Sequence, residues 1–113
     1  MKIIWKERAK DSARQAFVYC RLKFGKRIML QFKDRLFHQT DLLSLNPLLG
    51  KRDFLLEDRR DHVYRSLLVH KHFKVVYYID ESEDTVYIVA LWDVRREPRE
   101  QAGDMRENMD NMK

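Results

Sequence analysis

The chain predicts an α+β fold: an N-terminal strand, an antiparallel hairpin of two helices, and a mostly antiparallel sheet of about four to five strands. Three observations point there. Residues 7–24 and 26–45 carry apolar positions at helical spacing and meet at Gly25. Residues 62–70, 73–79 and 85–92 alternate or run apolar at strand length. The helices come before the run of strands, which segregates them to one face of an antiparallel sheet.

Residues 2–6, KIIWK, read as a first strand through Ile3, Ile4 and Trp5. In the first helix Ala9, Ala13, Phe17, Cys20 and Phe24 fall on one face, with Lys10, Arg14, Arg21 and Lys23 off that stripe. In the second, Ile28, Phe32, Leu36 and Leu43 repeat the period, and Met29 and Phe37 broaden it. Asn46-Pro47 ends it, because the residue before a proline is pushed out of the α region. Residues 47–53 read as a loop, 54–57 as a short second strand and 58–61 as a charged turn. Val63, Leu67 and Val69 then share a face with Arg65. Phe73, Val75 and Tyr77 oppose Lys74, Val76 and Tyr78. Residues 80–84, DESED, form a hairpin turn, and TVYIVALW is apolar enough for a central strand covered on both faces. Residues 1–94 make one domain, and 95–113 a charged tail that is helical or disordered.

A chain of 113 residues with 44% hydrophobic and 36% charged residues suits one folded core. No apolar run approaches the ~18–20 residues of a membrane span. The N-terminus lacks a signal-peptide core, so a cytoplasmic protein without a membrane partner is expected. Cys20 is the single cysteine. It reads as a helix core residue and offers neither an internal disulfide nor a cysteine-rich zinc site. No cofactor is called for. The charge is uneven: residues 1–46 hold 11 Lys+Arg against 4 Asp+Glu, a net of +7, while 47–94 hold 7 against 9 and 95–113 hold 5 against 5. A positive N-terminal half favours a polyanion or an acidic protein, unless those side chains are simply the solvated faces of two helices. The helices are too long, and their basic residues too spread, for a helix-turn-helix DNA reader.

Several segments together resemble the RelE/ParE superfamily, the toxins of type II toxin–antitoxin pairs that include plasmid stabilisation proteins. They are Trp5 before an Ala-rich first helix; Phe24-Gly25 closing it; Leu45-Asn46-Pro47 with Gly50; Tyr64-Arg65-Ser66; Phe73-Lys74-Val75-Val76-Tyr77; and Trp92-Asp93-Val94-Arg95-Arg96-Glu97-Pro98. The match covers residues 2–98. The resemblance implies this fold and an acidic antitoxin partner. It also implies one of two targets: the ribosome, where RelE-like members cut mRNA, or DNA gyrase, which ParE-like members poison.

Cleavage through a 2′-hydroxyl needs a base, an acid and cations around the phosphate. The resemblance puts Arg65, Lys74 and Arg95 or Arg96 in the cationic places. It also shows two departures: Leu67 stands where RelE-like enzymes have a second lysine, and no Tyr or His follows Trp92-Asp93. His70, His72 or Asp93 would have to move the proton; the plainer reading of His70-Lys71-His72 is a solvated turn, and of Tyr64, Tyr77 and Tyr78 sheet packing. His70 and His72 lack further ligands for zinc. These departures favour a ParE-like, non-nucleolytic toxin over an mRNA interferase. An inert module that only binds antitoxin is a third reading. Leu67, Val69, Val76 and Tyr78, on one uncovered sheet face, would form the antitoxin-binding patch.

Overall fold

The computed structural model describes residues 1–70 and 72–95. Its elements are β1 (Lys2–Trp5), α1 (Glu7–Phe24), α2 (Lys26–Leu45), β2 (Lys51–Arg52), a 3-10 turn (Phe54–Leu56), β3 (Arg65–His70), β4 (Phe73–Asp80) and β5 (Thr85–Asp93). The sheet order is β1-β5-β4-β3-β2. β1 pairs with β5 in parallel, and the other pairs are antiparallel. The expected tail from residue 96 onward lies outside the described residues. Among the described residues no helix is long and apolar enough to cross a membrane.

The two helices meet where the sequence places them. Gly25 sits at φ +92°, in the region that favours glycine, and lets α1 stop and α2 start without a spacer. Small residues face the sheet from α1: Ala9, Ala13, Ala16 and Cys20 are buried. Phe24, assigned to that stripe, is instead half exposed at the tip of the hairpin. α2 buries Phe32, Leu36, Thr40 and Leu43, while Ile28 and Phe37 at the margin of its stripe stay exposed. Thr40 fits the stripe because its hydroxyl donates to the Phe37 carbonyl, at 3.1 Å.

Both faces of the central strands are covered. Val75, Tyr77, Val86, Ile88 and Leu91 pack under the helices. Val76, Tyr78, Val89, Ala90 and Trp92 pack on the far side with Leu56 and Tyr64. Segment 54–57, expected as a strand, supplies that second cover. Asp53 turns it into a 3-10 helix by accepting from the Leu55 amide at 3.0 Å, and the strand is the two-residue β2 just before it.

The loop after α2 is tied to the sheet from beneath. The Tyr77 hydroxyl donates to the Pro47 carbonyl at 2.6 Å and accepts from the Gly50 amide at 2.9 Å. Arg65 donates to the Gly50 carbonyl at 3.0 Å. A Cβ on Gly50 would lie 2.7 Å from the Ser66 carbonyl oxygen and from the Tyr77 ring, so this close approach requires glycine. Tyr77→Phe keeps the packing but strands two backbone groups, Gly50 being buried. The expected loss is about 1–3 kcal/mol, read as a lower urea midpoint at unchanged m-value.

Candidate functional site

The cationic residues proposed to surround a phosphate do not gather. Arg65 stands opposite Tyr77 in the β3–β4 ladder, on the helix side, and its guanidinium serves the Gly50 carbonyl. Lys74 lies three residues from Tyr77 along a regular stretch and therefore points to the other face. There it meets Asp53 at 2.9 Å, with side-chain exposures of 15% and 4%. The sheet itself separates the two cations, and each already holds a structural partner.

The proposed apolar patch is also divided. Leu67 pairs with Val75, so Leu67 and Val69 turn into the helix-side core. Val76 and Tyr78 belong to the opposite cluster. That cluster is not open: Tyr78 is 8% and Val76 0% exposed. His62 stacks on Tyr78 with ring centroids 3.7 Å apart, and Tyr64 meets it edge-on at 5.9 Å. Tyr64 in turn donates to Asp61 at 2.8 Å. The four residues therefore do not share one uncovered face. The pairing register sets odd with odd across the β3–β4 hairpin, and the segment before β3 folds over the far side.

A third place does bring chemistry together. A cleft of about 450 Å³ opens between α1 and the end of β5. Arg8, Ser12, Gln15 and Tyr19 line it from α1; Phe73, Leu91 and Asp93 line it from the sheet. Asp93 is held by Arg95 in a two-oxygen contact, Nε donating to Oδ1 at 2.9 Å and a terminal guanidinium nitrogen to Oδ2 at 2.6 Å. That hydrogen bond lowers the Asp93 pKa, and the nearby His72 acts in the same direction. Arg95 also reaches the Tyr19 hydroxyl at 3.4 Å. The guanidinium, then Lys23, lowers the Tyr19 pKa. The Val94 amide donates to the His72 carbonyl at 2.7 Å, which docks the end of β5 on the β3–β4 turn. Of the sequence-derived candidates, His72, Asp93 and Arg95 thus converge. His70 instead packs edge-on against Phe32, with centroids 5.3 Å apart, under the helices. Arg96 lies outside the described residues.

Tyr19 escaped the sequence reading because it sits in α1, seventy-six residues from Arg95. Its local signal was weak: a tyrosine one turn before Lys23, whose ammonium lies 5.5 Å from its ring. The cleft can hold a carboxylate, a guanidinium and a phenol around a polar group. Among the described residues no cluster of His, Cys, Asp and Glu could hold a metal ion.

The fold is that of the RelE/ParE superfamily, and the family match makes the chain a small α+β toxin of it. The profile of the ParE toxin family, described as the ParE toxin of the type II toxin-antitoxin system parDE, matches residues 3–98. The chain belongs to that family. Its structure is similar to one from the chromosomal ParDE toxin–antitoxin system of P. aeruginosa, with a TM-score of 0.67, 14% identity, and coverage of 83% of this chain and 96% of that one. It is also similar to the YoeB/ParE toxin from Agrobacterium tumefaciens, with a TM-score of 0.55, 16% identity, and coverage of 82% and 98%. No curated protein sequence matches the chain.

Two outcomes test this geometry. Lys74→Met leaves the buried Asp53 carboxylate without its cation and should cost roughly 3 kcal/mol in a urea titration. The second concerns acid. Asp93 has a folded pKa below its usual value of 3.8, so its contribution to stability is complete above that pH and fades as pH falls through the folded value. The gap in stability between wild type and Asp93→Asn should therefore be constant above about pH 4 and narrow below it, as followed by thermal melts across pH.

Proposed function

We propose that this toxin acts in the ParE manner, by inhibiting DNA gyrase, and that it is not a nuclease. One observation carries the reading: two of the three cations an mRNA-cutting site would need, Arg65 and Lys74, lie on opposite faces of the sheet, and both are engaged in holding the fold. A phosphate clamp needs its cations convergent and pre-organised. Moving Lys74 away from Asp53 would uncover a buried carboxylate. The family match over residues 3–98 supports the same direction.

The antitoxin, in this reading, carries an acidic segment, because residues 1–46 hold a net +7. It does not use Leu67, Val69, Val76 and Tyr78 as a joint docking patch, since those side chains fill two separate cores.

One observation favours a second reading, a RelE-like mRNA interferase. Tyr19, His72, Asp93 and Arg95 come together at the end of β5, where the sequence shows no C-terminal acid or base. In that case Tyr19 donates the proton and Arg95 steadies the phosphate.

Pulse labelling separates the readings. The chain is induced in a bacterium lacking the antitoxin, and thymidine and methionine incorporation are followed together. The gyrase reading expects thymidine incorporation to fall first, and purified toxin to block supercoiling by gyrase in vitro. Methionine incorporation falling first, with the effect lost in Arg95→Ala, would replace it with the interferase. Unchanged growth and labelling would leave a module that binds antitoxin alone.

A further inference from the structure

We propose that the tip of the αα-hairpin is a nucleic-acid docking surface that grips a phosphodiester backbone. The tip is the one part of the helical layer that turns no residue inward. Residues 21–28, RLKFGKRI, are exposed throughout. Arg21, Lys23, Lys26 and Arg27 supply four cations within these eight residues. From Ser12 to Lys33 the chain holds six Lys and Arg and no Asp or Glu. No ion pair among the described residues involves any of the four tip cations. The N-terminus of α2 lies at the same place, with no acidic residue in its first turn and no side-chain cap, so its positive dipole end adds to the field.

The exposed apolar side chains say which polyanion fits. Leu22 is 82% and Phe24 52% exposed. They are interleaved with the cations along the sequence rather than massed. A protein interface needs a contiguous apolar core from which lysine is depleted. At this tip Leu22, Phe24 and Ile28 each stand next to a cation in the sequence, and Val18, one turn before Leu22, is the apolar side chain that adjoins them on α1. Nucleic acid offers an unbroken row of phosphates for the cations, and sugars and base edges for single apolar contacts. The surface adjoins the cleft at the end of β5 through Tyr19, which Lys23 and Phe24 touch, while Lys26 and Arg27 lie beyond it on α2; the inference holds under either reading of the target.

Fluorescence anisotropy tests it, using the full chain purified free of antitoxin. The probes are a short labelled DNA duplex, an RNA strand of equal length and a labelled poly-glutamate, each over a salt series. Lys26→Glu/Arg27→Glu reverses two tip charges and leaves acidic residues in the first turn of α2, where they favour the helix. Lys2→Glu/Lys51→Glu makes the same charge change at two exposed positions of the sheet edges. Wild type should bind DNA or RNA with a steep salt dependence, and the stronger of the two probes identifies the source of the backbone. The tip variant should bind at least about tenfold more weakly, with the slope of log K against log salt reduced by about 2. The edge variant should stay within about twofold of wild type. Equal losses in the two variants would overturn the proposal by reducing it to net charge. So would unaltered binding by the tip variant, or poly-glutamate binding as tightly as nucleic acid, which would assign the tip to an acidic protein. Circular dichroism of the variants confirms that the helices remain.

Discussion

Burial of β5 on both faces is the constraint on which the rest of this structure turns. The strand runs TVYIVALWD, with no polar side to give to water. It therefore lies inside the sheet, between β1 and β4, with helices on one side and the 54–64 segment on the other. Strict alternation would not serve it to the end. The ladder shifts between Val76 and Tyr77, which pair with Ala90 and Ile88, so Val89 is an extra residue. Val89 and Ala90 then face the same way. The bulge re-phases the last residues, so that Leu91 reaches the helix-side core, Trp92 the far side, and Asp93 the helix side opposite Phe73. Without it Trp92 would drive toward α1 and Asp93 would face away from the cleft. One inserted residue thus sets both the packing and the placing of the carboxylate that meets Arg95.

The same sheet decides what its cations can do. A cation on a buried strand must find a partner or pay several kcal/mol in lost hydration. Arg65 finds a backbone carbonyl and Lys74 finds Asp53. Each interaction fixes a loop: Arg65 the turn after α2, and Lys74, through Asp53, the 3-10 turn that covers the far face. Charges committed in this way stabilise the scaffold and are withdrawn from the surface. What remains exposed and uncompensated sits on the helices, above all around Gly25. The protein's outward positive charge is therefore concentrated on its helical hairpin, while the sheet's exposed charge is mixed, with an acidic β4–β5 turn and basic edges.

Much of this could be read from the residues. The helix boundaries, the Gly25 turn, the stop at Asn46-Pro47, the hairpin at Asp80–Asp84 and the double burial of the last strand rest on local patterns, and local patterns survive folding. Within each strand the division into faces was also legible. What the residues could not convey was how one strand's faces join the next. Leu67 and Val69 are correctly grouped, and so are Val76 and Tyr78, but the register pairs Leu67 with Val75 and parts the two groups. Register depends on hairpin geometry and on bulges, and neither the slip at Val69 nor that at Val89 has a glycine to betray it. Segment 54–57 misled for a similar reason. FLLE is apolar enough for a strand, yet a preceding aspartate that reaches the Leu55 amide tips it into a turn. Tyr19 and Arg95 are joined by tertiary structure alone.

The division of labour between sheet and hairpin follows from where stability is generated. The buried volume lies between α1, α2 and the sheet, and in the smaller cluster beyond it. By Phe24 the helices have run past that volume. Phe24 itself only rests edge-on against Tyr19, with centroids 6.4 Å apart. A side chain beyond the core is under no packing constraint, so soluble polar residues would be the neutral choice there. Leu22, like Leu45 at the end of α2, departs from that choice: it contributes little to the folded state's burial and adds apolar surface in water. Four cations beside it, none of them in an ion pair among the described residues, cost further through mutual repulsion. Neither feature helps the chain fold, and neither is forced by the turn, which needs only Gly25. Their presence together beyond the core is the ground on which the proposed recognition surface stands apart from a merely solvated helix end.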